Sequence, residues 1–225
     1  MPRTRIKICG ISNLDTARAC VDAGADAIGL VFVSKSPRCV DNLTASRIAD
    51  ALPAFVEPVG LFCNHSSVAV SRTARGCGLR TVQLHGREDP DQVRDLGAFL
   101  RVIKALPFDP ETAPVHLRDY RHTGAAALLW DTPPAPDAAL TGGSGHAFDW
   151  QSFAEFTRAH RRPADPPFIL AGGLDADNVG DAIRATAPYA VDTSSGVESI
   201  PGIKDLRKLE AFCAAVQSGQ SHPGR

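Results

Sequence analysis

Cys9 and Asp131 each close a short apolar run, RIKIC over Arg5–Cys9 and AALLWD over Ala126–Asp131. A thiol acts as a base when its pKa is lowered, and a carboxyl acts as an acid when burial raises its pKa. Asp131 carries the stronger signal, because an unpaired charge at the end of an apolar strand is costly. Its other reading is a cap or a structural ion pair. A lone cysteine beside Ile8 reads, on its own, as a small buried hydrophobe. Lys7 and a nearby anion site leave its charge state open.

Two later segments could hold an anion. Ala171-Gly172-Gly173 follows one apolar run and Ser194-Ser195-Gly196-Val197 follows another. Glycine lets backbone N–H groups approach a phosphate closely. Either segment alone is a tight turn; together, at these places, they point to phosphate. Arg38, in Ser36-Pro37-Arg38, could clamp a carboxylate through two parallel hydrogen bonds, although by charge alone it is a solvated loop arginine. His85 could donate a hydrogen bond to a ligand or be a satisfied structural histidine. Asp149 suits a helix cap beside Trp150. Asp192 could orient backbone at the phosphate loop.

The elements that must carry these groups follow from patterning. Eight short apolar runs recur: Arg5–Cys9, Ala27–Phe32, Val56–Phe62, Arg80–Leu84, Leu100–Ala105, Ala126–Asp131, Phe168–Ala171 and Tyr189–Asp192. Their length and Val/Ile content predict buried strands. Helical spacing lies between them. Asn13 or Asp15 caps a helix that stops at Gly24, Thr44 caps Ala45–Leu52, and Asp177 caps Val179–Ala187. Gly202–Val216 forms a last helix with an apolar face. Eight alternations in this length predict an α/β fold, a single (β/α)8 TIM barrel over residues 1–216, with the phosphate site at its last two loops. An open doubly wound sheet is less favoured, because no Gly-x-Gly-x-x-Gly follows the first strand. The polar tail, residues 217–225, is expected to fray. The long interval after Asp131, beginning Thr132-Pro133-Pro134 and running to Gly143-Ser144-Gly145, leaves the catalytic face and has the character of a lid or binding loop.

Composition bounds the partners. The 225 residues carry 24 Lys plus Arg against 25 Asp plus Glu, a net charge of -1. That balance argues against a nucleic-acid or anionic-membrane binder. No apolar run approaches a membrane span. The first residues enter a strand-like run without a signal region, and the six cysteines are scattered. A cytoplasmic chain with reduced thiols is expected. The seven histidines show no paired ligand spacing, so no metal is expected.

Taken together, Lys7-Ile8-Cys9-Gly10, Ser36-Pro37-Arg38, Val82-Gln83-Leu84-His85-Gly86, Gly143-Ser144-Gly145 with Phe148-Asp149-Trp150, Leu170-Ala171-Gly172-Gly173-Leu174, and Val191–Glu198 with Pro201-Gly202 and Lys204-Asp205 resemble phosphoribosylanthranilate isomerases. The resemblance runs from about Arg5 to Leu209. Thr193 stands where the family usually has an apolar residue, and Ser144 where it often has Thr. The resemblance implies a cofactor-independent Amadori rearrangement in tryptophan biosynthesis, with Asp131 as general acid and Cys9 as general base. It implies that Arg38 holds the anthranilate carboxylate and that Gly172, Gly173, Ser195 and Gly196 hold the phosphate; His85 is counted among the substrate-binding residues on its own chemistry. The only expected partner is the small phosphoribosyl substrate, for a monomer or a homodimer. A related aldose–ketose isomerase, such as the histidine-pathway aminoimidazole carboxamide isomerase, is disfavoured. Its paired aspartates at strands one and five are absent, since the first strand ends in Cys9 and Val102–Ala105 carries no Asp. A non-enzymatic phosphoribosyl-ligand sensor would need neither Cys9 nor Asp131.

Overall fold

A computed structural model describes residues 3–133 and 149–219. Eight parallel strands close a barrel in simple sequence order. They are β1 (Arg5–Cys9), β2 (Ala27–Val31), β3 (Glu57–Phe62), β4 (Thr81–Leu84), β5 (Arg101–Pro107), β6 (Ala127–Asp131), β7 (Phe168–Leu170) and β8 (Ala190–Thr193). Between and after them run α1 (Leu14–Asp22), α2 (Asn42–Ala51), α3 (Ser67–Gly76), α4 (Pro90–Gly97), α5 (Ala113–Tyr120), α6 (Trp150–His160), α7 (Val179–Thr186) and α8 (Leu206–Gly219). Closure comes from β1 pairing with β8, with Lys7 opposite Asp192.

Strand periodicity decides what faces where. On β1, Ile6 and Ile8 point outward into the apolar layer beneath the helices. On β3, β5, β6 and β7, Val59, Ile103, Ala105, Ala127, Leu129 and Ile169 point inward and pack together. They plug the barrel, so its interior is a core rather than a pore. The same alternation brings Cys9, Gln83, His85, Asp131 and Asp192 inward around one cavity. Outside β6, Trp130 is fully buried among Phe108, Phe153, Phe156 and Phe168, with ring centroids 5.3–6.2 Å away. Such pairs each add about 0.5–1.5 kcal/mol beyond burial, and they hold the strand that presents Asp131.

Three helix starts differ from expectation. Asp41, not Thr44, caps α2: its carboxylate accepts from the Thr44 N–H at 2.9 Å and the Thr44 hydroxyl at 2.7 Å. A carboxylate three residues upstream reaches an orphan N–H that Thr44, already inside the first turn, cannot serve. At α7 the turn is built by Asp175, whose Oδ1 accepts from the N–H groups of Asp177 and Asn178 at 3.0 and 3.1 Å. Asp177 is therefore not the cap. The last helix begins at Leu206 rather than Gly202, because β9 (Glu198–Ile200) and β10 (Ile203–Lys204) pair antiparallel first. Ile203 is consequently exposed, while Leu209, Phe212 and Val216 are buried. Asn13 and Asp149 do cap α1 and α6. α8 continues through Gly219, past the expected domain end at residue 216. Residues 220–225 and 134–148, which include most of the expected lid and Gly143-Ser144-Gly145, lie outside the described residues. Among the described residues no helix is long and apolar enough to cross a membrane.

Candidate active site

A cavity of about 820 Å³, its open mouth included, lies at the carboxyl ends of the strands. Cys9, Arg38, His85, Asp131, Gly172, Gly173 and Ser195 all line it. Val31, Val33, Leu61, Ala171 and Leu174 supply its apolar wall. Gly196 lies behind the lining. A Cβ there would fall 2.0 Å from the Leu174 carbonyl oxygen, so its place is to let two backbone segments meet.

Cys9 ends β1 and is almost fully buried. The neighbouring strand accommodates it with Gly29, where a Cβ would stand 2.7 Å from the Cys9 sulfur. Burial pushes the Cys9 thiol up from its ordinary value. Lys7 and Lys204 pull it down, and Asp192 adds to the upward push. Lys7 Nζ donates to Asp192 Oδ1 at 2.7 Å. Burial pulls the Lys7 ammonium down, but Asp192 and Cys9 outweigh it, so Lys7 is held above its usual value and remains charged. The expected role of Asp192, orienting backbone at the phosphate loop, is thus replaced by an inward ion pair on β1.

Asp131 faces this pair from β6. Its Oδ1 accepts from the Thr132 N–H at 2.7 Å, and its Oδ2 lies 3.3 Å from His85 Nε2. His85 Nδ1 lies 2.8 Å from Gln83 Nε2. With that amide nitrogen donating, Nδ1 is the acceptor, and Nε2 carries the proton toward Asp131. Gln83 Oε1 is buried with no partner among the described residues. Two residues apart, Gln83 within β4 and His85 just past its end form an inward ladder that ends on the carboxylate.

Arg38 already holds a carboxylate, that of Glu198. Nε and Nη2 donate to its two oxygens at 2.8 and 2.7 Å. Lys204 adds a third bond to Glu198 at 2.9 Å and reaches the Ser194 carbonyl at the same distance. This use of Arg38 leaves the Nη1/Nη2 edge of its guanidinium, which is itself shaped for a second carboxylate. Glu198 and Lys204 stood in the quoted motifs without a role. Their signal was opposite charge on a Pro-Gly turn. Burial of Lys7 had a plainer signal: a lysine two residues before an inward cysteine must share its face.

The turn expected to hold the phosphate takes its shape from Gly172 and Gly173, both at positive φ, +84° and +59°. A Cβ on Gly172 would meet the Thr132 nitrogen at 2.8 Å, so only glycine fits. Consecutive N–H groups in such a turn make an anion-binding concavity. Asn178 ties the turn down by donating to the Gly173 carbonyl at 2.8 Å. Across from it, the Thr193 hydroxyl donates to the Leu174 carbonyl at 2.6 Å. That bond accounts for a buried polar side chain where an apolar one was the expectation. Ser195–Val197 forms a single 3-10 turn beside the glycine turn.

Comparisons with known proteins identify the family. The family model described as N-(5'phosphoribosyl)anthranilate (PRA) isomerase matches residues 6–215. The N-(5'-phosphoribosyl)anthranilate isomerase of Acidithiobacillus ferrooxidans is 43% identical over 221 residues, covering 96% of this chain and 99% of its own. The crystal structure of phosphoribosyl anthranilate isomerase from Thermotoga maritima superimposes with a TM-score of 0.85 at 38% identity, over 96% of this chain and 99% of that one. A further isomerase structure, in complex with reduced 1-(o-carboxyphenylamino)-1-deoxyribulose 5-phosphate, gives a TM-score of 0.82 at 35% identity, with the same coverage.

Proposed function

The chain belongs to the N-(5'-phosphoribosyl)anthranilate isomerase family, and we propose that it converts N-(5-phosphoribosyl)anthranilate into 1-(2-carboxyphenylamino)-1-deoxyribulose 5-phosphate in tryptophan biosynthesis. The observation that carries this reading is the convergence of Cys9, Asp131, Arg38 and the Gly172–Gly173 turn on one cavity. The reaction is an aldose–ketose isomerisation, an intramolecular oxidoreduction run by acid and base side chains without a cofactor.

Asp131 protonates the furanose ring oxygen, and the ring opens to a Schiff base. Cys9, as thiolate, removes the C2 proton, and the resulting enolamine relaxes to the ketone. The free Nη edge of Arg38 takes the anthranilate carboxylate. Gly172, Gly173 and Ser195 take the phosphate, with Gly196 shaping the turn behind them. Holding both anionic ends fixes the sugar carbons between acid and base, and such positioning supplies several kcal/mol of barrier reduction. His85, bonded to Asp131, orients the acid and contacts the substrate.

The direct test follows the fluorescence of freshly made phosphoribosylanthranilate, which should decay much faster with the protein than without it. Asp131→Asn should lower turnover by about 10²–10⁴-fold while still binding a reduced product analogue. Full activity in that variant removes Asp131 from the mechanism. Arg38→Ala should act mainly on KM; an unchanged KM reassigns Arg38 to its structural pair with Glu198.

A further inference from the structure

Lys7 has no task in the reaction as written, yet it sits inside the barrel beside the base. Strand alternation places it two residues before Cys9 on the same inward face, and the β1–β8 register sets it opposite Asp192. Its Nζ donates to Asp192 Oδ1 at 2.7 Å, and Asp192 lines the cavity together with Cys9. Only 3% of its side chain is exposed, so the ammonium cannot reach bulk water. A buried ion pair of this kind is a poor source of stability, since apolar residues of similar volume often serve as well or better. Its place beneath the cavity, behind Cys9 and Asp192, therefore calls for a chemical reason.

The charged groups facing Cys9 come from four segments. They are Lys7 on β1, Asp192 on β8, Lys204 on β10, and Arg38 in the segment after β2. Arg38 and Lys204 direct their hydrogen bonds to Glu198. Lys7 shares the inward face of β1 with Cys9, two residues away, and its bond goes to Asp192 across the same closure. A thiolate forming in this dry corner needs a counter-charge nearby, and a compact ammonium with three donors can hold Asp192 and still turn a donor toward sulfur.

We infer that Lys7 is the positioning residue of the proton-transfer centre, its ammonium held on Asp192 and supplying the counter-charge for the Cys9 thiolate. In the step it supports, the substrate C–H bond breaks and an S–H bond forms. The C–H electron pair moves into the Schiff base, and Lys7 keeps all its protons throughout. This deepens the proposed function and rests on Cys9 being its base.

The test reads Cys9 itself in substrate-free protein. Its thiol pKa is obtained from the pH dependence of iodoacetamide alkylation, followed on the Cys9 peptide by mass spectrometry. Lys7→Met should raise that pKa by about one unit or more, slowing alkylation about tenfold at a fixed pH below it. Lys7→Arg should recover part of the shift. Asp192→Asn, which removes a negative neighbour but leaves Lys7, should lower the pKa. In turnover, Lys7→Met should reduce kcat at least about tenfold and move the acidic limb of its pH profile upward, with little change in KM. A wild-type thiol pKa in folded Lys7→Met overturns the inference, and so does a shifted pKa with undiminished kcat. If Lys7→Met fails to fold by circular dichroism, Asp192→Asn decides, and an unchanged or raised thiol pKa there overturns it. Because alkylation needs no substrate, absence of isomerase activity in the wild type refutes the proposed function separately.

Discussion

Lys104, on the outward face of β5, and Lys7, on the inward face of β1, are both stripped of water and both meet a carboxylate, yet they do different work. Lys104 Nζ donates to Glu88 at 2.8 Å and to the carbonyls of Gly86 and Leu84 at 2.7 and 3.3 Å. Glu88 accepts in turn from the N–H groups of Asn64 and Gly86, each at 2.8 Å. Both side chains are 1% exposed. Every donor of the ammonium is matched, and the group clamps the loop that follows His85. The Lys7–Asp192 pair is 3% and 9% exposed and Asp192 lines the cavity. Lys7 shares the inward face of β1 with Cys9, the base of the proposed reaction. A saturated buried pair is a structural clamp; a buried pair that borders the cavity beside the proposed base is the one to which we assign an electrostatic role.

The widest separation between the two should appear in stability. Lys104→Met strands Glu88 without a counter-charge, and should cost about 3–5 kcal/mol in urea unfolding. Lys7→Met should cost clearly less, because cavity water can reach Asp192. Equal costs would erase the distinction. A smaller effect separates a clamp from a mere contact: Lys104→Met with Glu88→Leu should be more stable than Lys104→Met alone, since the stranded charge is gone. Unchanged stability in the double variant would show that Glu88 finds other partners.

Gly29→Ala probes the cavity side. The new methyl would press on the Cys9 sulfur and on its Cα at 2.9 Å. It should cost about 1–3 kcal/mol and reduce turnover, measured by thermal unfolding and by the fluorescence assay. The mildest test is pH. Burial pushes the Glu88 carboxyl up, but Lys104 and the backbone N–H groups outweigh it, so its pKa lies below the usual glutamate range. Its stabilisation is therefore complete above the ordinary value of about 4.3 and is lost as pH falls through the depressed folded value. Glu88→Gln should flatten the acid limb of a stability–pH curve in that range; an unaltered limb assigns acid sensitivity to other carboxylates.

Much of this was legible in the sequence. Arg5–Cys9 was bounded correctly because a buried strand must be a short β-rich run between breakers, a local property. The eightfold alternation then left few ways to close. The misjudged helix starts at Asp41 and Asp175 share a cause, whereas the start at Leu206 was displaced by the β9–β10 hairpin. Caps compete over two or three residues, and spacing alone does not say which carboxylate reaches the orphan N–H. At the site, Cys9, Asp131 and the two anion segments stood out because each departs from its apolar surroundings. Glu198 did not, since its partner Arg38 lies 160 residues away.

Residue order alone determined the eight strands of the barrel, the inward parity of Cys9, Asp131 and Asp192, and the glycines of the turn after β7, because periodicity and positive φ are written locally. Closure of β1 on β8 decided the rest. It set Lys7 against Asp192 and brought Asp131 into the same cavity as Cys9. Charge pairing in a dry interior depends on distances of a few ångströms between segments far apart in the chain, and only the folded barrel supplies those distances.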